Sequence, residues 1–181
     1  MGPVIRPMAS KDTEFVVAVS LAADSLFTEA GVMLPLDDPR QMFDHVERVM
    51  VAEVDGRVEG LAATVTLDGG THLEQLAVHP DHGRRGVGGA LVEAVCAEAA
   101  GRGHDRVTLT TFRDLPWNGP WYERRGFSVF PRPEWGPGLV RQWAVEEEAG
   151  IMVRPRIAMV RRLRSPSRPC PRGPLPGSND P

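Results

Sequence analysis

Apolar positions along this chain change period several times, and each change marks an element. Val4 to Arg6 reads as a short strand broken by Pro7, since proline cannot donate to a strand ladder. Phe15, Val16, Val19 and Ala23 recur at helical spacing, with Ser10 placed to cap the helix and Asp12 and Glu14 near the positive end of its dipole. An apolar loop, Gly31 to Leu36, precedes a second helix opening at Asp37 or Asp38, with Pro39 in its first turn and Met42, Phe43 and Val46 on one side. Val49 to Val54 and Val58 to Leu67 read as strands joined by Asp55-Gly56, a hairpin signal, and Gly69-Gly70 leads into a further strand ending at Val78-His79-Pro80. Leu91, Val92, Val95, Cys96 and Ala99 then form the apolar face of a helix running from Ala90 to Gly101 or Gly103. Val107 to Phe112 and Phe127 to Phe130 read as strands separated by a short helix around Pro120 to Arg125. Leu139 to Ala149 reads as a helix, and Ile157 to Leu163 as a last strand. This β-α-α-β-β-β-α-β-α-β-α-β order predicts an α/β fold on a mixed sheet.

Gly83, Gly86, Gly88 and Gly89 fall between a strand and a helix. Glycine there allows positive φ and lets a ligand approach the backbone amides without a Cβ in the way, so Gly88 in particular is expected to leave room for a phosphate. Unpaired amides at a helix start, backed by the helix dipole, attract phosphate. The loop is neither a dinucleotide fingerprint nor a P-loop. Gly86-Val87-Gly88 gives only half of the first, and the sole lysine of the chain, Lys11, is nowhere near the second.

Val78-His79-Pro80 followed by Gly83-Arg84-Arg85-Gly86-Val87-Gly88 resembles motif A of the GNAT N-acetyltransferase superfamily, in which a strand ending in Val-x-Pro precedes Q/R-x-x-G-x-G/A. Gly83 stands where the family has Gln or Arg. Trp117 to Phe127, ending Tyr122-Glu123-Arg124-Arg125-Gly126-Phe127, resembles the family's motif B. The resemblance implies a GNAT fold over residues 1–163: a mixed, mostly antiparallel central sheet of about seven strands flanked by helices. It implies acetyl-CoA as co-substrate, its pyrophosphate on the amides of Arg84, Arg85, Gly86, Val87, Gly88 and Gly89. Backbone groups of Leu76, Ala77 and Val78 are expected along the pantetheine arm, and Asn118 either touches the cofactor or caps the helix that follows. Tyr122, the only tyrosine, sits where the family protonates the leaving thiolate. Glu74, with His72 as the alternative, is the expected base. In a regular strand both share a face with Leu76 and Val78, an alternation that a bulge of the family type disturbs. Gly31 to Leu36 and the Phe130–Gly138 loop, with Trp135, are expected to border the acceptor.

The implied activity is direct acetyl transfer to a primary amine, most readily of a small molecule. A non-catalytic acyl-CoA-binding module and a protein N-terminal acetyltransferase are the rivals, and a homodimer is compatible with the family. Composition adds limits. Hydrophobic content of 41% and charged content of 25% are those of an ordinary globular chain, and a net charge of −3 gives no general affinity for nucleic acid or an anionic membrane. Residues 151–181 carry seven arginines and one acid, which leaves residues 1–150 at −9 and favours a cationic acceptor. Cys96 and Cys170 form no disulfide framework, and His72, His79 and His82 lack the spacing of a metal site and read as solvent-facing. The apolar run Phe15 to Ala23 follows acids rather than a basic segment, so no signal peptide is expected and the cytoplasm is the expected location. Residues 164–181 are rich in Pro and Arg and are expected to stay without a fixed fold. Deleting residues 165–181 should therefore leave the melting temperature and CoA affinity nearly unchanged; a large drop in thermal denaturation would show that the segment packs.

Overall fold

Two tight turns build the centre of the sheet. Asp55 and Gly56 have φ of 49° and 79°, and Asp68 and Gly69 have φ of 51° and 74°. Two consecutive left-handed residues are the primed turn that matches the twist of a hairpin. The turns join β2 (Arg48–Val54) to β3 (Arg57–Leu67), and β3 to β4 (Gly70–Val78). With β1 (Val4–Pro7), β5 (Arg106–Phe112), β6 (Ser128–Val129) and β7 (Arg156–Arg162) they make one seven-stranded sheet in the order β1-β2-β3-β4-β5-β7-β6. Among the described residues, only β4 and β5 pair in parallel. This is the mixed, mostly antiparallel sheet expected. The computed structural model describes residues 2–163, so the expectation for residues 164–181 lies outside the described residues.

Helices α1 (Thr13–Glu29), α2 (Val87–Gly101), α3 (Gly119–Glu123) and α4 (Pro137–Glu148) flank the sheet. The second predicted helix is a 3-10 turn, Pro39–Asp44, whose opening amide at Arg40 is taken by the Asp38 carboxylate at 2.9 Å. Ser10 starts another such turn and does not cap α1. Asp12 is the anchor there: its carboxylate accepts from Arg6 Nη1 at 2.6 Å and from the Ala9 amide at 2.8 Å. The Arg6 guanidinium holds the Asp12 carboxyl at about 2, below the usual carboxylate range.

The sheet separates two apolar layers. Leu73, Val107, Leu109 and Met159 meet Leu91, Val92 and Val95 of α2 on one face. On the other, Val51, Leu61, Ala63 and Ala77 meet Val16 and Val19 of α1, and Phe130, Ala158 and Val160 meet Leu139 of α4. The β3–β4 turn holds α4 from a distance. Asp68 accepts from the amides of Gly138 at 2.7 Å and Leu139 at 2.9 Å, capping the helix where α4 supplies no capping side chain. A Cβ on Gly136 would overlap the Asp68 carboxylate, which explains the glycine. Under α4, Glu146 accepts from Arg156 Nη2 at 2.9 Å and from Thr110, a largely buried ion pair between helix and sheet.

His72 is fully buried, not solvent-facing. Its Nδ1 is hydrogen-bonded to Thr108 Oγ1 at 2.9 Å, and burial pulls its pKa down to about 4. The native state therefore holds a neutral ring, while the unfolded chain takes up a proton as pH falls below about 6.5. That contribution is present above pH 6.5 and is lost progressively as pH falls from 6.5 towards 4. Denaturant titrations at pH 7.5 and pH 5 should show the stability difference between the wild type and His72→Leu shrinking by about 2 kcal/mol at the lower pH. A difference that does not change with pH contradicts this reading of His72.

Candidate active site

β4 and β5 run together for only three residues, Thr71↔Val107 to Leu73↔Leu109. β5 then keeps its full antiparallel pairing with β7, from Arg106↔Arg162 to Phe112↔Arg156, while β4 continues to Val78 against β3 alone. From Glu74 to Val78, β4 therefore has no neighbouring strand on its β5 side among the described residues. The strands part at a bulge. Ala63 pairs with Gln75 and Thr64 with Leu73, so Glu74 is an extra residue opposite β3.

The bulge inverts the alternation and corrects the expected faces. Leu73, Leu76 and Val78 pack on the α2 side, whereas Gln75 donates to Ser20 of α1 and Ala77 lies in the α1 core. Glu74 points to the α1 side too, where its Oε1 lies 2.5 Å from His45 Nε2. Glu74 and His72 thus lie across the sheet from Leu76 and Val78, not beside them. Glu74 Oε2 is buried and has no hydrogen-bond partner. The Glu74 side chain is 17% exposed, whereas His72 is sealed and holds its ring neutral down to about pH 4, a poor base. Of the two, only Glu74 keeps some contact with solvent.

Beyond Val78 the chain makes a short 3-10 turn, Pro80–His82, and Gly86, with φ of 84°, starts α2. The first helical bond is from the Ala90 amide to Gly86 O at 2.9 Å, so the amides of Val87, Gly88 and Gly89 have no helical partner. The helix begins three residues earlier than its apolar pattern predicted, because the glycines lie inside its first turn. A Cβ on Gly88 would meet Trp121 at 3.3 Å and Val78 at 3.6 Å. That side of Gly88 is filled by protein, so its missing Cβ lets α3 and the end of β4 close on α2 rather than leaving room for a phosphate as expected.

Motif B supplies the other wall. Asn118 O accepts from the amides of Trp121 at 2.9 Å and Tyr122 at 3.0 Å and so starts α3 with its backbone. Its side chain makes no capping bond, and Oδ1 is buried without a partner, leaving the side chain free for a ligand. Tyr122 is 7% exposed, between the rings of Trp121 at 4.9 Å and Phe127 at 5.5 Å. Burial pushes its phenol above the ordinary value, so the hydroxyl keeps its proton. Sequence reading missed Arg125, whose guanidinium lies 3.5 Å over the Trp121 ring and beside Gly89, adding positive charge near the free amides. The signal was there as an aromatic and an arginine four residues apart across a short helix.

At segment 32–37, within the loop expected to border the acceptor, a cavity of about 140 Å³ lies against α1, lined among others by Leu21, Asp24, Phe27, Met33 and Asp37. Desolvation, then the charge of Asp37, raises the Asp24 carboxyl above its usual range. Trp135, expected at the acceptor's edge, donates its Nε1 to Phe130 O at 2.7 Å and packs its ring on Trp143 of α4. Among the described residues, no helix is long and apolar enough to cross a membrane.

Residues 45–129, spanning β2 to β6, match the acetyltransferase (GNAT) domain. Over 131 residues the chain is 33% identical to a mycothiol acetyltransferase of Clavibacter sepedonicus, covering 70% of this chain and 43% of that protein, so it spans less than half of that relative's length. Its fold is similar to a GNAT-family acetyltransferase of Staphylococcus aureus Mu50, with a TM-score of 0.70 and 15% identity, over 90% of this chain and 99% of that one. It is also similar to N-acetylglutamate synthase of Neisseria gonorrhoeae, solved with coenzyme A and N-acetylglutamate, with a TM-score of 0.68 and 22% identity, over 91% of this chain and 36% of that one. With the open β4 edge and the free amides of α2 both inside the family match, residues 45–129 form an acetyltransferase domain of the GNAT family.

Proposed function

We propose that this protein transfers an acetyl group from acetyl-CoA to the primary amine of a small molecule by direct attack. The observation that carries the reading is the unpaired edge of β4 leading straight to the free amides of Val87, Gly88 and Gly89. A strand edge and a helix start in sequence are what a long ligand with an amide-rich arm and a pyrophosphate requires. The buried, unpartnered Asn118 Oδ1 at the start of α3 fits the same ligand.

When bound, acetyl-CoA supplies an activated thioester. Backbone groups of Leu76, Ala77 and Val78 hold the pantetheine arm. The amides from Arg84 to Gly89 hold the pyrophosphate, with Arg125 adding charge nearby. Glu74 takes one proton from the arriving ammonium, freeing the nitrogen pair that forms the new C–N bond as the C–S bond breaks. The nitrogen loses a second proton and the sulfur gains one, so the net release is a single proton. Tyr122 faces the sulfur. With its phenol raised by burial and a thiol near 8.5, complete proton loss from the phenol is uphill, so its first action is to donate a hydrogen bond as charge grows on sulfur.

The acceptor reading rests on charge and likeness. The mostly apolar cavity beside α1, with Asp24 and Asp37 as its two acidic lining residues and no basic one, suits an amine that arrives protonated. A relative named mycothiol acetyltransferase and a neighbour solved with N-acetylglutamate support a small acceptor, while a neighbour named ribosomal-protein-S18-alanine N-acetyltransferase keeps the protein acceptor as the rival.

Calorimetry should show CoA binding, and free thiol should appear when acetyl-CoA meets a suitable amine. Tyr122→Phe keeps the ring and removes only the hydroxyl. It should lower kcat at least tenfold, a lower bound set beneath the roughly 10² to 10⁴-fold typical of general acids, with CoA affinity and melting temperature retained. Full turnover by the variant would make the tyrosine structural, and loss of stability together with rate would make its hydroxyl a buried hydrogen-bonding group.

A further inference from the structure

We infer that His45 is the positioning residue for Glu74, fixing that carboxylate so that its inner oxygen faces the acceptor amine. The inference rests on the reading of Glu74 as the base.

His45 is remote in sequence, yet it is held in place from both sides. Its amide donates to Met42 O at 3.2 Å, and Met42 is buried in the α1 core. Two residues on, the Glu47 amide donates to Thr64 O at 3.0 Å and the Glu47 carboxylate accepts from Thr66 Oγ1 at 2.7 Å, fastening the chain to β3. Between these anchors the imidazole reaches over β4, and Nε2 lies 2.5 Å from Glu74 Oε1. The ring itself is about half exposed, whereas the carboxylate it holds is mostly buried.

The consequence is an asymmetric carboxylate. Oε1 is taken, and Oε2 is buried with no partner. A buried carboxylate oxygen without a hydrogen bond costs stability, so a carboxylate kept in this state on a strand edge calls for a ligand group that completes it. The identity of the partner matters as much as its place. Among the described residues no Arg or Lys is paired with Glu74; His45 is its only ionic partner. A guanidinium or ammonium there would carry a permanent charge on a long flexible stem, whereas an imidazole orients the group through one ring N–H.

The test is a double-mutant cycle read in thiol release from acetyl-CoA. The acceptor is whichever of spermidine, glucosamine, L-glutamate or L-alaninamide supports the fastest wild-type rate, and CoA affinity is measured alongside. His45→Ala should lower kcat by roughly tenfold to a hundredfold, the scale of a misplaced catalytic group, without changing CoA affinity. His45→Gln, whose amide N–H reaches as far as Nε2, should recover most of that loss. Glu74→Gln should lose at least as much, and adding His45→Ala to it should cost nothing further, because there is no base left to position. Wild-type turnover in His45→Ala, or the same loss in the Glu74→Gln background, overturns the inference while leaving acetyl transfer standing. A wild-type chain that releases no thiol with any of these amines overturns the acetyl-transfer reading instead. In that case the pairing is judged from ring ¹⁵N spectra, in which Glu74→Gln must move the His45 Nε2 resonance; an unmoved resonance overturns it.

Discussion

One extra residue in β4 sets the terms for the rest of the molecule. A strand between β3 and β5 would normally satisfy its backbone on both edges, as buried backbone groups require. Here the bulge at Glu74 twists β4 away from β5 just where their parallel pairing stops, and β5 follows β7 instead. The result is a stretch of backbone, Glu74 to Val78, in the middle of the sheet yet open on one side. A bulge also re-aims side chains. It turns Glu74 toward α1 and His45 while keeping Leu76 and Val78 in the α2 core, so apolar packing and an available carboxylate coexist within five residues.

The elements around that opening are fixed by polar contacts rather than by apolar packing alone. Asp68 caps α4 across the sheet, Arg6 and Asp12 tie β1 to the start of α1, and Glu146 with Arg156 joins α4 to β7. On the α2 side the closure is aromatic and close-fitting: Trp121 lies over Gly88, Arg125 lies on Trp121, and Tyr122 is enclosed between two rings. Removing side chains at Gly88 and Gly89 brings α3 against the first turn of α2. The free amides and the phenol are thereby held in one frame.

Most of the fold was legible in local patterns. Asp55-Gly56 is a hairpin turn in sequence and in structure, and the periodicities of α1, α2 and α4 are real. Errors fell where distant residues decide the outcome. The start of α2 was read too late because Gly88 and Gly89 are poor helix formers, and it is Trp121 and Arg125, over thirty residues on, that account for them. Strict alternation put His72 and Glu74 on the face of Leu76 and Val78, since one inserted residue leaves no mark in composition. Asp68 looks like an ordinary turn residue until the amides of Gly138 and Leu139 are in view. The site followed the same division: the glycine loop and Tyr122 could be read from motifs, whereas His45 and Arg125 come from tertiary contacts.

Amide chemical-shift mapping with CoA tests the central claim, that the opened edge of β4 and the start of α2 form one continuous cofactor cradle. The largest perturbations should fall on Leu76, Ala77 and Val78 and on Val87, Gly88 and Gly89 together, with β1 and β6 unmoved. Shifts confined to other elements, or to α2 without β4, would contradict it.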